Sequence, residues 1–257
     1  ASLDWIIVGS GIFSVSGNET LDPDQALLLG PAGVISREYA NVTCRVVDAG
    51  EIPVAVSGRR KVVEKLLREP GKPRAWRPVA YRGGYRWQRT FEPIRLAENP
   101  AREERKIRDK GVYVISGGYG GIGLTLATHL AKHARARLGL LSRTTLPARE
   151  EWPDWVNSHP GSDAVARAIR AVESLEEIGA EVLPVAVDVS DATAVGRALG
   201  TIRERFGAVH GVIHSAGILD SGLVQLRTPE AAGKVLAPKV RGTEALYSEV
   251  KDDPLDF

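Results

Sequence analysis

The sequence predicts an α/β protein built on a parallel sheet with helices on both faces. Three observations lead there. From Gly111 onward, short apolar runs alternate with amphipathic stretches. A glycine-rich loop follows the first of those runs, and the later runs end in small or polar residues, as strand ends lining a crevice do. With 257 residues, the chain is long enough for one large or two modest domains with a real core. Hydrophobic residues make up 43% and charged residues 26%, which argues against disorder and coiled coil. Lys and Arg number 34 against 32 Asp and Glu, a balance that gives no reason to expect a nucleic-acid partner. No apolar run reaches the ~18 residues of a membrane span, and Ala1–Trp5 lacks the lead of a signal peptide. Cys44 is the only cysteine, so no internal disulfide or cysteine-based zinc site is expected, and a reducing, cytoplasmic setting follows. The chain has no methionine and reads as a piece of a longer polypeptide.

Residues 1–94 mix short apolar runs with turns. Trp5–Val8 and Cys44–Val47 are expected as strands. Asp22-Pro23 suits the start of a short helix through Leu29, with aspartate as cap and proline in the first turn. Val62, Leu66 and Leu67 form an apolar stripe on a helix from Gly58 to Arg68. Gly83-Gly84 accepts positive φ at both turn positions and predicts a tight hairpin. The strand after it places Tyr85, Trp87, Arg89 and Phe91 on one face, and the aromatic residues are expected in the core. Residues 95–110 read as a linker, in which Glu103, Glu104, Arg105, Lys106 and Arg108 mix both signs of charge.

Val112–Ser116 begins the alternating region as a strand. A helix follows with Ile122, Leu126 and Leu130 on one face, then the strand Leu138–Ser142. A loop with Trp152, Pro153 and Trp155 leads to a helix begun by Ser162 and ended by Gly179, with a stripe of Val165, Ile169, Val172 and Leu175. Glu181–Val187 is a strand. Ser190 can cap a helix carrying Val195, Leu199, Ile202 and Phe206 that stops at Gly207, and Val209–His214 is a further strand. Right-handed crossovers would turn this alternation into a Rossmann-like parallel sheet.

The main chemical signal is Ser116-Gly117-Gly118-Tyr119-Gly120-Gly121-Ile122-Gly123. It sits between strand and helix, where glycines let the backbone approach a pyrophosphate and the helix N-terminus supplies N–H donors. The alternative is a glycine-rich turn that serves packing alone. Ser142-Arg143-Thr144 ends the next strand, and Arg143 lies 20 residues beyond Gly123. An NAD site often carries an acid there; a guanidinium flanked by hydroxyls suits a 2′-phosphate and hence NADPH. A surface arginine is the bland reading. Asp188-Val189 and Ser215-Ala216-Gly217 end the following strands. Asp188 can accept from an adenine amino group, and the small residues admit a ribose and nicotinamide; either segment alone would be an ordinary turn.

These runs, with His214-Ser215-Ala216-Gly217 and Ala237-Pro238-Lys239-Val240-Arg241-Gly242-Thr243, resemble the ketoreductase domain of modular type I polyketide synthases. That family is a branch of the short-chain dehydrogenase/reductase superfamily. Gly30-Pro31, Ile35-Ser36-Arg37-Glu38-Tyr39 and Tyr81–Trp87 resemble its noncatalytic, Rossmann-like structural subdomain. The resemblance implies a partial structural subdomain over 1–94 and an NADPH-binding catalytic subdomain over 111–257. The implied reaction is NADPH reduction of a β-ketoacyl chain held by phosphopantetheine on an acyl carrier protein, beside neighbouring synthase domains. Lys239 matches the active-site lysine, which in this family precedes the serine, tyrosine and asparagine. Without the family, Lys239 is a helix-surface lysine. No match to the serine, tyrosine or asparagine occurs before Phe257, so this piece is expected to be inactive alone. Tyr247 and Lys251 fit a Tyr-x-x-x-Lys spacing but lie only 30 residues past Gly217, and are read as a helix end. Leu219-Asp220-Ser221 departs from the Leu-Asp-Asp of many reductases that yield D-hydroxy products. A nonreducing ketoreductase-like scaffold and a freestanding carbonyl reductase are the alternative readings.

Overall fold

A computed structural model describes residues 2–70, 72, 77–95 and 107–257. The chain divides into two compact units: Ala1–Leu96 with Gly222–Arg227, and Ala97–Ser221 with Thr228–Phe257. Residues 96–106 of the expected linker, including Glu103, Glu104, Arg105 and Lys106, lie outside the described residues. No described helix is long and apolar enough to cross a membrane.

The first unit carries a four-stranded sheet ordered β1 (Leu3–Gly9), β2 (Val42–Asp48), β3 (Val79–Arg82), β4 (Tyr85–Gln88). The first three strands are parallel, and β4 returns antiparallel. Gly83 and Gly84 take φ of 54° and 85°, the positive values that a two-residue hairpin turn needs. Asp22 caps α1 (Pro23–Ala26) by accepting from the Asp24 N–H, but that helix is shorter than the sequence suggests. A second helix, α2 (Leu29–Glu38), follows at once. The sequence pattern does not predict it, because Gly30, Pro31 and Gly33 lower helix propensity; packing of Ala32 on the core overrides them. The predicted Gly58–Arg68 helix is α3 (Val56–Leu66); Val62 and Leu66 are half-buried, while Leu67 beyond its end is exposed. A 3₁₀ turn, Val224–Leu226, belongs to this unit: the Val224 N–H donates to Glu38 and the Tyr39 hydroxyl donates to Gln225.

The aromatic face of β4 is not core. Tyr85, Trp87 and Phe91 are 72%, 50% and 84% exposed. The reason is polar: the opposite side of the pleat presents Arg86, whose guanidinium binds the buried Glu69 carboxylate at 2.8 and 3.0 Å. Glu69 also accepts from Arg45 at 3.0 Å and from the Tyr81 hydroxyl at 2.5 Å. Burial opposes ionisation of Glu69, yet Arg86, Tyr81 and Arg45 outweigh it and hold its pKa at about 2. Asp48 is the second hub. Its carboxylate accepts from the N–H groups of Ile12, Phe13 and Gly50 and from Arg82, so it pins the chain after β1 to the end of β2.

The second unit holds four parallel strands ordered β7 (Glu181–Ala186), β6 (Arg137–Ser142), β5 (Val112–Ser116), β8 (Gly211–His214). The connections are α4 (Gly121–Ala134), α5 (Trp152–Ser158) with α6 (Ala164–Glu177), and α7 (Ala192–Phe206); α8 (Pro229–Val250) follows β8. All five residues of β5 are buried, as a central parallel strand requires. Val112 and Val114 face the core shared with α7 and α8, while Tyr113 and Ile115 face the core shared with α4 and α6. Pro184, which cannot donate a ladder hydrogen bond, lies on the edge strand β7.

Several local details depart from the sequence reading. The buried face of α4 is Gly123, Ala127, Leu130, Ala131 and Ala134, whereas Ile122 is 71% exposed. Small residues win that face because they let the helix approach the sheet closely. Trp152 is a buried helix residue rather than part of a loop. The caps of α6 and α7 are Asp163 and Asp191, one residue beyond Ser162 and Ser190, each accepting from the N–H three residues on.

The Glu69 cluster makes a stability prediction. Glu69→Ala leaves Arg45 and Arg86 without their shared carboxylate and should cost about 3–5 kcal/mol, the usual penalty for breaking a buried ion pair. A lowered carboxylate pKa stabilises the fold above its ordinary value of 4.5, and that stabilisation is lost as pH falls towards about 2. The stability difference between wild type and Glu69→Gln in urea should therefore shrink across that window. A difference independent of pH would remove Glu69 from the charged hub.

Candidate functional site

In the second unit β5 leads by α4 to β6 on one side, while β8 pairs with β5 on the other. The chain reverses its direction of winding between β5 and β8, and a crevice opens there beyond the carboxyl ends of the strands. A cavity of about 350 Å³ occupies that place. Gly117, Ser142, Arg143, Asp188, Val189, Ala216 and Gly217, all candidates from the sequence, line it.

The glycine loop is shaped by close backbone contacts. The N–H groups of Gly117 and Gly118 both donate to the Leu141 carbonyl, tying the loop to the end of β6. Gly117 has φ of 66°, and a Cβ there would meet the Ala216 backbone at 2.9 Å. A Cβ on Gly118 would meet Leu140 at 2.9 Å, and one on Gly123 would meet the Gly117 carbonyl at 2.5 Å. Gly121, by contrast, has open space around it. Gly120 occupies the cap position of α4 and offers no side-chain acceptor. The other long helices of this unit, α6, α7 and α8, are capped by Asp163, Asp191 and Thr228. The first N–H groups of α4 thus keep their donors, and the helix dipole keeps its positive end.

Around the rim, the Arg143 guanidinium makes no hydrogen bond or ion pair among the described residues and is exposed. The Ser142 hydroxyl accepts from the Thr144 N–H at 3.1 Å and so shapes the turn that presents Arg143; Thr144 itself does not line the cavity. One oxygen of Asp188 accepts from the Ser190 N–H at 2.9 Å. Lys239, on α8, places Nζ 3.4 Å from where a Gly217 Cβ would stand, beside the cavity rather than in its wall. Ser215 is used internally, its hydroxyl donating to the Ser116 carbonyl at 2.6 Å. Tyr119 turns towards the Ile115–Leu140 core, where burial pushes its phenol up to about 12. Ile122 points outward. Tyr247 is 67% exposed on α8, and neither it nor Lys251 reaches the cavity.

Sequence reasoning missed one wall. Lys234, Ala237 and Pro238 of α8 and Ile218 also line the cavity. Ala237-Pro238 stands beside Lys239, but only the fold shows that this helix closes the crevice. The first unit holds a larger cavity, about 700 Å³, lined among others by Lys61, Lys65, Tyr81 and Arg82. Its arginine is already committed to Asp48 and Glu19.

Comparison with known proteins places this architecture. The KR domain family matches residues 111–257. Polyketide synthase ThaG of Burkholderia thailandensis is 32% identical over 258 residues, covering 100% of this chain and 4% of that protein. Polyketide synthase PksL of Bacillus subtilis is 36% identical over 187 residues, covering 70% of this chain and 4% of its own length. The chain thus spans a small fraction of these relatives. The ketoreductase from the first module of phoslactomycin biosynthesis in Streptomyces sp. HK803 superposes with a TM-score of 0.71 at 26% identity, over 96% of this chain and 52% of that one. With the glycine loop, the switch-point crevice and the α8 wall in their places, the chain belongs to the ketoreductase domains of polyketide synthases.

Proposed function

We propose that the crevice binds NADPH and that the chain serves the reduction of a β-ketoacyl thioester, carried on an acyl carrier protein, to the β-hydroxyacyl thioester. The observation that carries this reading is the exposed Arg143, without a hydrogen-bond or ion-pair partner among the described residues, at the rim of a cavity whose floor is a glycine turn too tight for any Cβ at Gly117. The residues present suit the cofactor. The uncapped N-terminus of α4 would hold the pyrophosphate by backbone N–H groups and dipole. Arg143, assisted by the hydroxyls of Ser142 and Thr144, would take the 2′-phosphate by charge-assisted hydrogen bonds. The free oxygen of Asp188 would accept from the adenine amino group, and Val189 would pack against the ring. Gly217, without a side chain, leaves room for the nicotinamide ribose.

Bound NADPH would supply the hydride that reduces the keto carbon. Lys239 then acts by charge: its ammonium would orient the ribose and lower the cost of negative charge on the proton-donating tyrosine of the family, a residue with no match among residues 1–257. The domains following from this reading are a structural subdomain over 1–94, a connection over 95–110 and a catalytic subdomain from 111. Acyl carrier protein and neighbouring synthase domains are its partners.

Two measurements test the reading. Arg143→Ala should weaken NADPH binding by about 1.5–3 kcal/mol, the scale of a hydrogen bond to a charged group, and leave NADH nearly unchanged. Equal losses for both cofactors would remove Arg143 from the phosphate site. In the intact synthase, Lys239→Ala should lower single-turnover reduction of a β-ketothioester by about 10²–10⁴-fold with little change in Tm, since the lysine tunes the general acid. Tyr247→Phe should leave the rate intact. Undiminished turnover of Lys239→Ala would make that residue structural.

A further inference from the structure

A half-buried polar chain lies beside the crevice, and neither the Ser116 nor the His214 side chain enters the lining. Ser116, the last residue of β5, is fully buried, and its register partner on β8 is His214. The Ser116 Oγ and His214 Nδ1 are 2.5 Å apart, and His214 Nε2 is 2.7 Å from the Pro238 carbonyl on α8. A carbonyl can only accept, so Nε2 carries the proton. In the neutral ring Nδ1 is then the acceptor, and the Ser116 hydroxyl donates to it. The Ser116 oxygen accepts in turn from the Ala216 N–H at 3.3 Å. Every bond runs in one direction, from the turn after β8, through β5 and the imidazole, into α8.

The chain ends at a meaningful carbonyl. Pro238 sits inside α8 and has no N–H to return to the carbonyl of Lys234, so the helix lacks one of its own restraints at this point. The imidazole supplies an outside restraint on the peptide that joins Pro238 to Lys239. His214 also fills the space over Gly242, where an added Cβ would lie 3.4 Å from the ring. The Lys239 ammonium reaches to the face of Gly217, three residues beyond His214.

We propose that His214 is a positioning residue: it aligns the Pro238–Lys239 segment of α8 with the Gly217 turn, so that the lysine faces the nicotinamide end of the crevice. This rests on the NADPH reading above. The Pro238 carbonyl selects the tautomer, and the Ser116 hydroxyl completes it by donating to Nδ1.

The test uses the full chain and two probes, NADPH and 2′,5′-ADP, which carries the 2′-phosphate end but no nicotinamide. His214→Ala should weaken NADPH by about three- to ten-fold, the scale of one or two hydrogen bonds, and change 2′,5′-ADP by less than about two-fold. His214→Gln, whose amide can reach the Pro238 carbonyl, should recover most of the NADPH affinity, whereas the shorter His214→Asn should not. Adding His214→Ala to Lys239→Ala should cause no further loss of NADPH binding. A parallel loss of both probes, additive effects with Lys239→Ala, or no effect on NADPH would each overturn the positioning role. Ser116→Ala, a smaller change, should show the same preferential loss of NADPH if His214→Ala folds poorly, and equal losses there would overturn the role as well. Failure of the wild-type chain to bind either probe would instead overturn the cofactor reading on which the role stands.

Discussion

The close approach of Gly117 to the Ser215–Ala216 backbone is the contact on which the second unit turns. It joins the end of β5 to the end of β8, the two strands between which the winding reverses. Any side chain at Gly117 would push these strand ends apart, and its positive φ excludes most residues independently. The contact also fixes the start of α4, because Gly123 packs in turn on the Gly117 carbonyl. One backbone juxtaposition therefore sets the loop, the direction of the helix dipole and the floor of the crevice. The rest of the site is a matter of which strand ends project past it.

The first unit is held by a different logic. Its small apolar cluster, Ile12, Ala32, Cys44 and Val46, is supplemented by two carboxylates taken wholly out of water. Each is surrounded by arginine and by directed donors: Glu69 by Arg45, Arg86 and Tyr81, Asp48 by Arg82 and three backbone N–H groups. Such clusters add less net stability than apolar packing, but they tolerate few alternative arrangements, since a misplaced strand would strand a buried charge. This explains why β4 turns its aromatic side outward. The position facing inward is taken by the guanidinium that Glu69 requires.

The same contrast governs what the sequence could reveal. Strands of the second unit follow from apolar runs, and its site residues follow from their ends, because parallel topology forces strand ends to a common edge. The place of Arg143, Asp188 and Gly217 in the crevice lining is therefore legible before any fold is known. Lys234 and Ile218 are not: which face of α8 closes the crevice depends on how the helix crosses the sheet, and periodicity does not record that. In the first unit the signals mislead. Tyr85, Trp87 and Phe91 alternate as core residues would, but alternation identifies two faces without saying which is buried. Helix α2 is hidden by Gly30 and Pro31, and the face of α4 by alanines that carry little weight in a hydrophobic pattern.

In the sequence His214 is only the residue before a small-residue turn, and its role is a property of three elements together. A histidine at a strand end has several bland uses. What distinguishes this one is the chemistry of its two neighbours: a serine hydroxyl able to donate, and a proline carbonyl able only to accept. An amide or a second hydroxyl in place of Pro238's carbonyl would allow the imidazole to reverse its tautomer and the relay its direction. The backbone carbonyl forbids that, so the ring is held in one orientation, with Nε2 donating to α8. Proline inside α8 is costly, about 3 kcal/mol in an ordinary helix, and leaves the Lys234 carbonyl without its intrahelical donor. A fold that keeps it has placed a local weakness in the helix at the point where an external hydrogen bond can set the direction of the next residue. That next residue is Lys239, and its ammonium lies against the turn to which His214 belongs.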